Sequence, residues 1–411
     1  MIRRLRWQVL GVCLCLSVPV LAKEGDTLRP FVSAGYYFDN NLFRLDDNDS
    51  PGTQREDRFA LLEAGLNVDW KVARQQFTAN LTKTLIRYNE NTFLDFDGED
   101  LEGRWNWRLG NRLSGTVGAT RSTSQSSFDD IDQFNNQVDR ERRFGRAEWE
   151  FHPRWRISAG IDSTENLNSA PSQRSQNVDQ EARDITLGYK TPKGSSLRAQ
   201  VRKIDATFPN PQIVSAFFFP FFFEVADNSY TQTEYNMLAD WALTGKLTLR
   251  GQAGRVDRHY ENVLRDDFGG TPTLRERPDF EGFTGRASLD WFATSKTLVN
   301  VAVFQELGGA TDINASSVLR TGGSVSGVWA FREKWRLNVG AEYLSRDYKG
   351  DVPSAQPART DETLGSSLSL NYRPHPVVSL DMGILAGKRD SNRTNEDYDY
   401  QTLFANIRAD F

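Results

Sequence analysis

From Leu28 to the last residue the chain repeats one pattern, segments of about ten to fifteen residues in which apolar and polar side chains alternate singly. A period of two belongs to a strand whose faces meet different surroundings, not to a helix. In the final segment Leu403, Ala405, Ile407, Ala409 and Phe411 share one face, opposite Thr402, Asn406, Arg408 and Asp410. Leu101, Gly103, Trp105, Trp107 and Leu109 alternate in the same way with Glu102, Arg104, Asn106 and Arg108. So do Trp155, Ile157, Ala159 and Ile161 with Arg156, Ser158, Gly160 and Asp162. A fourth case sets Leu364, Leu368, Leu370 and Tyr372 against Gly365, Ser367, Ser369 and Asn371.

The connections between segments alternate in length. Short ones fall at 72–74, 110–111, 152–154, 191–194, 244–245, 294–295, 332–334 and 373–376. Long ones, rich in Asp, Asn, Ser, Gly and Pro, fall at 40–56, 124–138, 167–177, 207–228, 261–279, 311–317 and 350–361, with shorter loops at 92–93 and 391–396. Eight turns and nine loops predict about eighteen antiparallel strands with both ends on one side. An all-β transmembrane barrel with short periplasmic turns and long extracellular loops is built this way.

A mean hydropathy of −0.57 with 26% charged residues would also suit a soluble protein. No apolar run long enough for a spanning helix follows the first residues, so helical membrane spans are excluded, but alternating strands are not. The tryptophans argue for the membrane. Trp70, Trp105, Trp107, Trp149, Trp155, Trp241, Trp291, Trp329 and Trp335 all lie near a short turn. That is the placement of an aromatic girdle at one interface. Tyr36, Tyr88, Tyr230, Tyr260, Tyr348 and Tyr398, toward the long loops, are expected to form the opposite girdle. A soluble sandwich or solenoid would carry more Val, Leu and Ile on its buried faces, and its tryptophans would not follow one class of turn.

Residues 1–22 read as a secretory signal: Arg3, Arg4 and Arg6, an apolar run from about Trp7 to Leu21, then small residues before Lys23. The barrel is expected over 23–411. Cys13 and Cys15 both lie in the signal, without a lipoprotein box because Val12 precedes Cys13, so the mature chain has no thiol chemistry. Loss of three arginines takes the formal charge from −5 to −8, which argues against nucleic acid as a partner.

A barrel of this size is too wide for side chains to fill, and no plug domain precedes the first strand, so a pore is expected. Alternation places Arg104, Arg108, Arg112, Arg146, Arg156, Arg198, Arg202, Arg250, Arg286 and Arg336 inward as candidate pore-lining groups. Glu102, Glu148, Asp240 and Asp290 join them, with Glu63, Asp69, Glu150, Asp162, Asp184 and Glu342. Such arginines either line a path for a polar solute or pair with carboxylates on neighbouring strands. Register shifts are expected near Lys83 and Asn236.

The loop at 208–223 holds Phe217, Phe218, Phe219, Phe221, Phe222 and Phe223. Each exposed ring costs about 1.5–3 kcal/mol, so the loop must pack, as a lumenal constriction, a sugar-stacking surface or a cap on the rim. Enzyme readings are weak: His152 and His375 sit beside prolines in turns, His259 lies near the outer rim, and no hydrolase, zinc or phosphate-loop motif is present. No cofactor or metal is expected; acidic stretches such as 46–49 and 129–130 read as solvated loops.

The stretch Leu28-Arg-Pro-Phe-Val-Ser-Ala-Gly-Tyr-Tyr-Phe-Asp-Asn-Asn-Leu-Phe-Arg-Leu-Asp-Asp47, with the terminal Phe411, resembles the EpsL family. These are barrel proteins of exopolysaccharide operons in exosortase-carrying proteobacteria. The resemblance implies a pore through which an extracellular polysaccharide leaves the cell, with periplasmic export or synthesis proteins as partners beside membrane lipid and lipopolysaccharide. It assigns no catalytic residue. A sugar-uptake or general porin, which usually folds its third loop inward, and a surface adhesin are the alternatives.

Overall fold

The computed structural model describes residues 27–46, 54–129, 134–216, 223–260, 264–266, 273–275, 278–309, 317–349 and 358–411. The signal thus lies outside the described residues. The first half of the wall is β1 (Leu28–Asp39), β2 (Asp57–Val72), β3 (Gln75–Tyr88), β4 (Phe96–Leu109), β5 (Leu113–Gln125), β6 (Gln137–His152), β7 (Trp155–Asn168), β8 (Val178–Lys190) and β9 (Ser196–Thr207). Two short strands follow, β10 (Gln212–Ala216) and β11 (Phe223–Ala226), then the wall strands β12 (Tyr230–Thr244) and β13 (Leu247–Tyr260). After β14 (Leu264–Asp266) and β15 (Thr273–Arg275) come β16 (Phe280–Thr294), β17 (Thr297–Gly309), β18 (Ser317–Arg332), β19 (Trp335–Lys349), β20 (Thr360–His375), β21 (Val378–Ser391) and β22 (Tyr398–Asp410).

Eighteen strands form one antiparallel sheet, and β1 pairs with both β2 and β22, so the sheet closes. At the seam the Phe411 N–H donates to the Pro30 carbonyl at 2.8 Å. Strands β10, β11, β14 and β15 make a separate four-stranded sheet within two of the loops. The expected strand count and turn pattern are those observed. Tight turns carry left-handed backbone at Ala73 and Gly110, at φ 53° and 60°. No described helix is long and apolar enough to cross a membrane.

Pairing keeps a single parity around the ring. Phe77, Trp105, Val117, Gly145, Ile161 and Arg183 are successive partners, as are Leu289, Val301, Val325, Ala341, Ser366 and Ala386. This parity carries most of the exposed large apolar side chains, including Leu62, Leu101, Ile161, Val301, Leu368 and Ile407, and is the lipid face. The opposite parity lines the lumen.

Register runs unbroken through Lys83 and Asn236, correcting the expectation of shifts there. The wall's shifts fall between Trp149 and His152, Ala242 and Thr244, Phe292 and Thr294, Trp329 and Arg332, and Tyr372 and His375. All flank periplasmic turns, where an extra residue adjusts the strand twist to the tight turn.

The tryptophan girdle is present: Trp70, Phe77 and Trp105 stack in sequence at 5.4 and 5.8 Å, and Trp335 stacks on Tyr372 at 4.2 Å. The tyrosine girdle is not as expected. Tyr36 faces lipid, but Tyr88, Tyr230, Tyr260, Tyr348 and Tyr398 have lumenal parity and pack inside the outer end. Tyr235 and Tyr343, about half exposed, hold the outward positions instead.

Candidate functional site

Eighteen tilted strands enclose a backbone ring on the order of 35 Å across, which side chains alone leave open. The middle of this wall is polar because alternate strand positions carry Ser, Thr, Asn, Arg, Asp and Glu. Most of the predicted lumenal arginines are ion-paired. Arg104 meets Glu102 at 2.8 Å, Arg146 meets Asp184 at 2.6 Å and Arg156 meets Glu148 at 3.0 Å. Arg198 meets Asp240 at 2.5 Å, Arg286 meets Glu306 at 2.8 Å, and Arg250 bonds to Asp290, which also accepts from Asn300 at 2.7 Å.

Arg108, Arg202 and Arg336 have lumenal parity but form no ion pair among the described residues. Arg202 stands between Asp184 and Glu234 in register. Arg112 sits in the turn between β4 and β5, where its carbonyl accepts from the Glu150 N–H of β6 at 2.7 Å. At the periplasmic end a cavity of about 880 Å³ opens between Arg29, Asn67, Arg373, Arg408 and Asp410.

Loop residues pack inside the outer mouth. Leu42 and Phe43, in the first loop, turn inward and join Tyr88 and Leu94 in a buried apolar cluster. Phe43 packs edge-on against Phe128 of the third loop, centroids 5.0 Å apart, and lies 6.4 Å from Phe93 of the second. Three loops thus share one small core above β1 to β5.

Asp129 carries the third loop further. The Tyr398 hydroxyl donates to its carboxylate at 3.0 Å, Arg44 Nε approaches to 3.7 Å, and Arg389 donates to its backbone carbonyl. Tyr398 and Arg389 belong to β22 and β21, so a loop rooted on β5 and β6 is tied to strands five to seven places away, about 100–140° around the ring. Asp129 is thereby held against the lumenal side chains of those strands.

Its anchor is itself braced. Arg44 adopts φ 55°, lies 3.6 Å over the Tyr400 ring and bonds to Asp39 at 3.0 Å. Arg389 stacks 4.4 Å from the Tyr398 centroid and donates to Glu396 at 2.7 Å. Glu396 also receives Arg359 at 3.1 Å, and fully buried Asp361 accepts from Arg359, Tyr348 and Ser391. Burial opposes the charge on the Arg359 guanidinium, but its hydrogen bond to Asp361 and the nearby negative groups outweigh that and raise its pKa above the ordinary arginine value. Removing one partner would leave buried charge unpaired, which is costly.

The constriction expected from Phe217, Phe218, Phe219, Phe221 and Phe222 lies outside the described residues; Phe223 opens β11. The aromatic groups that do narrow the mouth are Phe43, Phe93 and Phe128, which the sequence reading missed. Their signal was the short apolar stretches Leu42-Phe43 and Phe93-Leu94 and the lone Phe128, set in otherwise polar loops. His259 pairs with Asp279 at 2.8 Å on the outward face, away from the lumen. Among the described residues no group of His, Cys, Asp and Glu is arranged to hold a metal.

Residues 275–411, which hold the last seven wall strands, match the family model described as "Putative beta-barrel porin 2". Among solved structures, the outer-membrane protein OpdK of Pseudomonas aeruginosa aligns at 10% identity over 93% of this chain and 99% of its own, with TM-score 0.50. The chain has the porin fold. It resides in the bacterial outer membrane. Pseudomonas aeruginosa OccK2 (OpdF) in complex with glucuronate aligns at 11% identity over 93% and 98% of the two chains, TM-score 0.50. Acinetobacter baumannii OccAB3 aligns at 11% identity over 94% and 100%, TM-score 0.50. No curated protein matches the chain in sequence.

Proposed function

We propose that this barrel is a passive uptake channel for small polar solutes of about monosaccharide size. The observation that carries this reading is the third loop, seated across the mouth by Asp129, Tyr398, Arg389 and Arg44. A loop so fixed takes up part of the mouth, which favours a small solute over a polymer. The ion-paired lumen supports the same reading, because alternating guanidinium and carboxylate groups exchange hydrogen bonds with a hydroxylated or carboxylated solute without holding it tightly. The porin fold is consistent with it, and one barrel of that fold holds glucuronate, a single acid sugar. Export of an extracellular polysaccharide, implied by the first strand and loop, rests on that resemblance alone and requires the third loop to leave the mouth.

Swelling of vesicles containing the refolded barrel tests the proposal with solutes graded from monosaccharide to long oligosaccharide. Fast entry of monosaccharides and uronates, falling steeply by tri- or tetrasaccharide size, is the expected result. Equal entry of long oligosaccharides would overturn it in favour of polymer passage, and no entry of any solute would favour a closed structural barrel.

A further inference from the structure

The apolar belt around the barrel is uneven. On β1 the outward positions Leu28, Pro30, Val32, Ala34, Tyr36 and Phe38 are apolar from end to end. On β8 only Tyr189, Leu187 and Ile185 precede Arg183, and on β9 only Leu197, Ala199 and Val201 precede Lys203. Six residues from Tyr189 to Arg183 cover about 20 Å of strand, or roughly 15 Å of height at the usual tilt, against an apolar band of about 25 Å. Arg183, Lys203 and, on β6, Arg143 therefore stand outward within the height that lipid tails occupy elsewhere. A cation there is unfavourable unless it snorkels or meets an anion.

Beside these cations the outer wall is hollowed. Gly103 pairs with Ala119, which pairs with Arg143; one row toward the periplasm run Val117, Gly145, Ile161 and Arg183. A Cβ on Gly103 would meet nothing within 4 Å, and one on Gly145 only the Ile161 side chain at 3.7 Å. The result is an apolar groove of about 930 Å³ with Arg143 and Arg183 at its outer end. Their side chains are 78% and 71% exposed, and each bonds a carboxylate two residues along its own strand, Glu141 at 3.2 Å and Glu181 at 3.0 Å. Each of these bonds engages a single Nη of its guanidinium. Glu141 and Glu181 cancel the bulk charge, so recognition rests on the guanidinium forks, whose geometry matches two phosphate oxygens at once.

We propose that this groove seats an acyl chain of lipopolysaccharide, with a lipid A phosphate on Arg143 and Arg183. An apolar trough ending in two outward arginines is the shape and polarity of one acylated phosphosugar. The short belt beside it lets the headgroup sit low enough to reach both side chains.

Native mass spectrometry of the refolded full-length barrel, mixed with purified lipid A, tests this. The wild type is expected to retain one lipid A. Retention should fall about tenfold or more for Arg143→Gln/Arg183→Gln, for Gly145→Leu, and for dephosphorylated lipid A. Heat-modifiable gel mobility reports folding, and the arginine pair, being exposed, carries the test if Gly145→Leu fails to fold. Unchanged retention in the arginine variant would overturn the proposal, as would equal retention of phosphatidylethanolamine. So would a wild-type oligomer that Gly145→Leu dissociates, which would assign the groove to a second copy of the chain.

Discussion

Replacing Phe128 and Asp129 together by alanine should open the outer mouth. The Tyr398 hydroxyl donates to the Asp129 carboxylate at 3.0 Å, a charge-assisted bond worth about 1.5–3 kcal/mol. Arg44 stands 3.7 Å away and the Asp129 side chain is 38% exposed, so solvent screening holds that ion pair to under about 1 kcal/mol. Phe128, partly buried against Phe43, contributes on the order of 1–2 kcal/mol, less than full burial of a phenyl ring. The sum of about 2.5–6 kcal/mol is roughly two to four decades in the ratio of seated to released loop. The Arg389 bond to the Asp129 backbone carbonyl survives both substitutions, so the loop should leave its seat far more often without being freed altogether. Single-channel recording in planar bilayers should show a larger conductance with more frequent switching than wild type. Asp257→Ala, which removes a partner of Arg255 on the outward face, should leave the conductance unchanged. A folded double variant that conducts like wild type would refute the claim that the third loop narrows the pore.

Three further outcomes follow from the wall. Val301→Arg puts a charge at the centre of the lipid face between Leu289 and Val325, and should cost about 2–4 kcal/mol, read as a lower urea midpoint for folding into vesicles. Asp290→Asn removes the carboxylate that balances Arg250 in the lumen, so the zero-current potential across a salt gradient should move toward anion preference; unchanged selectivity would place this pair outside the ion path. Deleting Phe411 removes the backbone bond to Pro30 at the closing seam and should slow barrel closure in refolding kinetics without altering the other strand pairs.

The wall was legible because its signal is local. A period of two, repeated with alternating long and short connections, fixes strand number and facing, and Leu101, Trp105 and Ile161 lie on the face that alternation assigned. Lumenal pairing was half legible: candidate arginines could be placed by parity, but Arg198 meeting Asp240 depends on which strands become neighbours. The tyrosines show the limit of position without parity, since Tyr88 and Tyr398 lie near the expected height but on the other face. The mouth was least legible. Asp129 and Tyr398 lie 269 residues apart, and nothing local distinguishes Phe43 or Phe128 from a stray apolar residue in a polar loop. The run of phenylalanines at 217–223 drew attention by composition, while the described constriction is built from single rings brought together by chain topology.

Whether one face of every strand borders water through the whole wall is tested most directly by a pair of adjacent substitutions on β5. The chain has no cysteine after Cys15, so Thr116→Cys on the lumenal face and Val117→Cys on the lipid face each provide a single thiol beyond the signal. In vesicles holding the folded barrel, a water-soluble thiol reagent should modify the Thr116→Cys protein rapidly and leave the Val117→Cys protein protected by lipid. Equal modification of both, or protection of the lumenal site, would contradict a water-filled pore with this register.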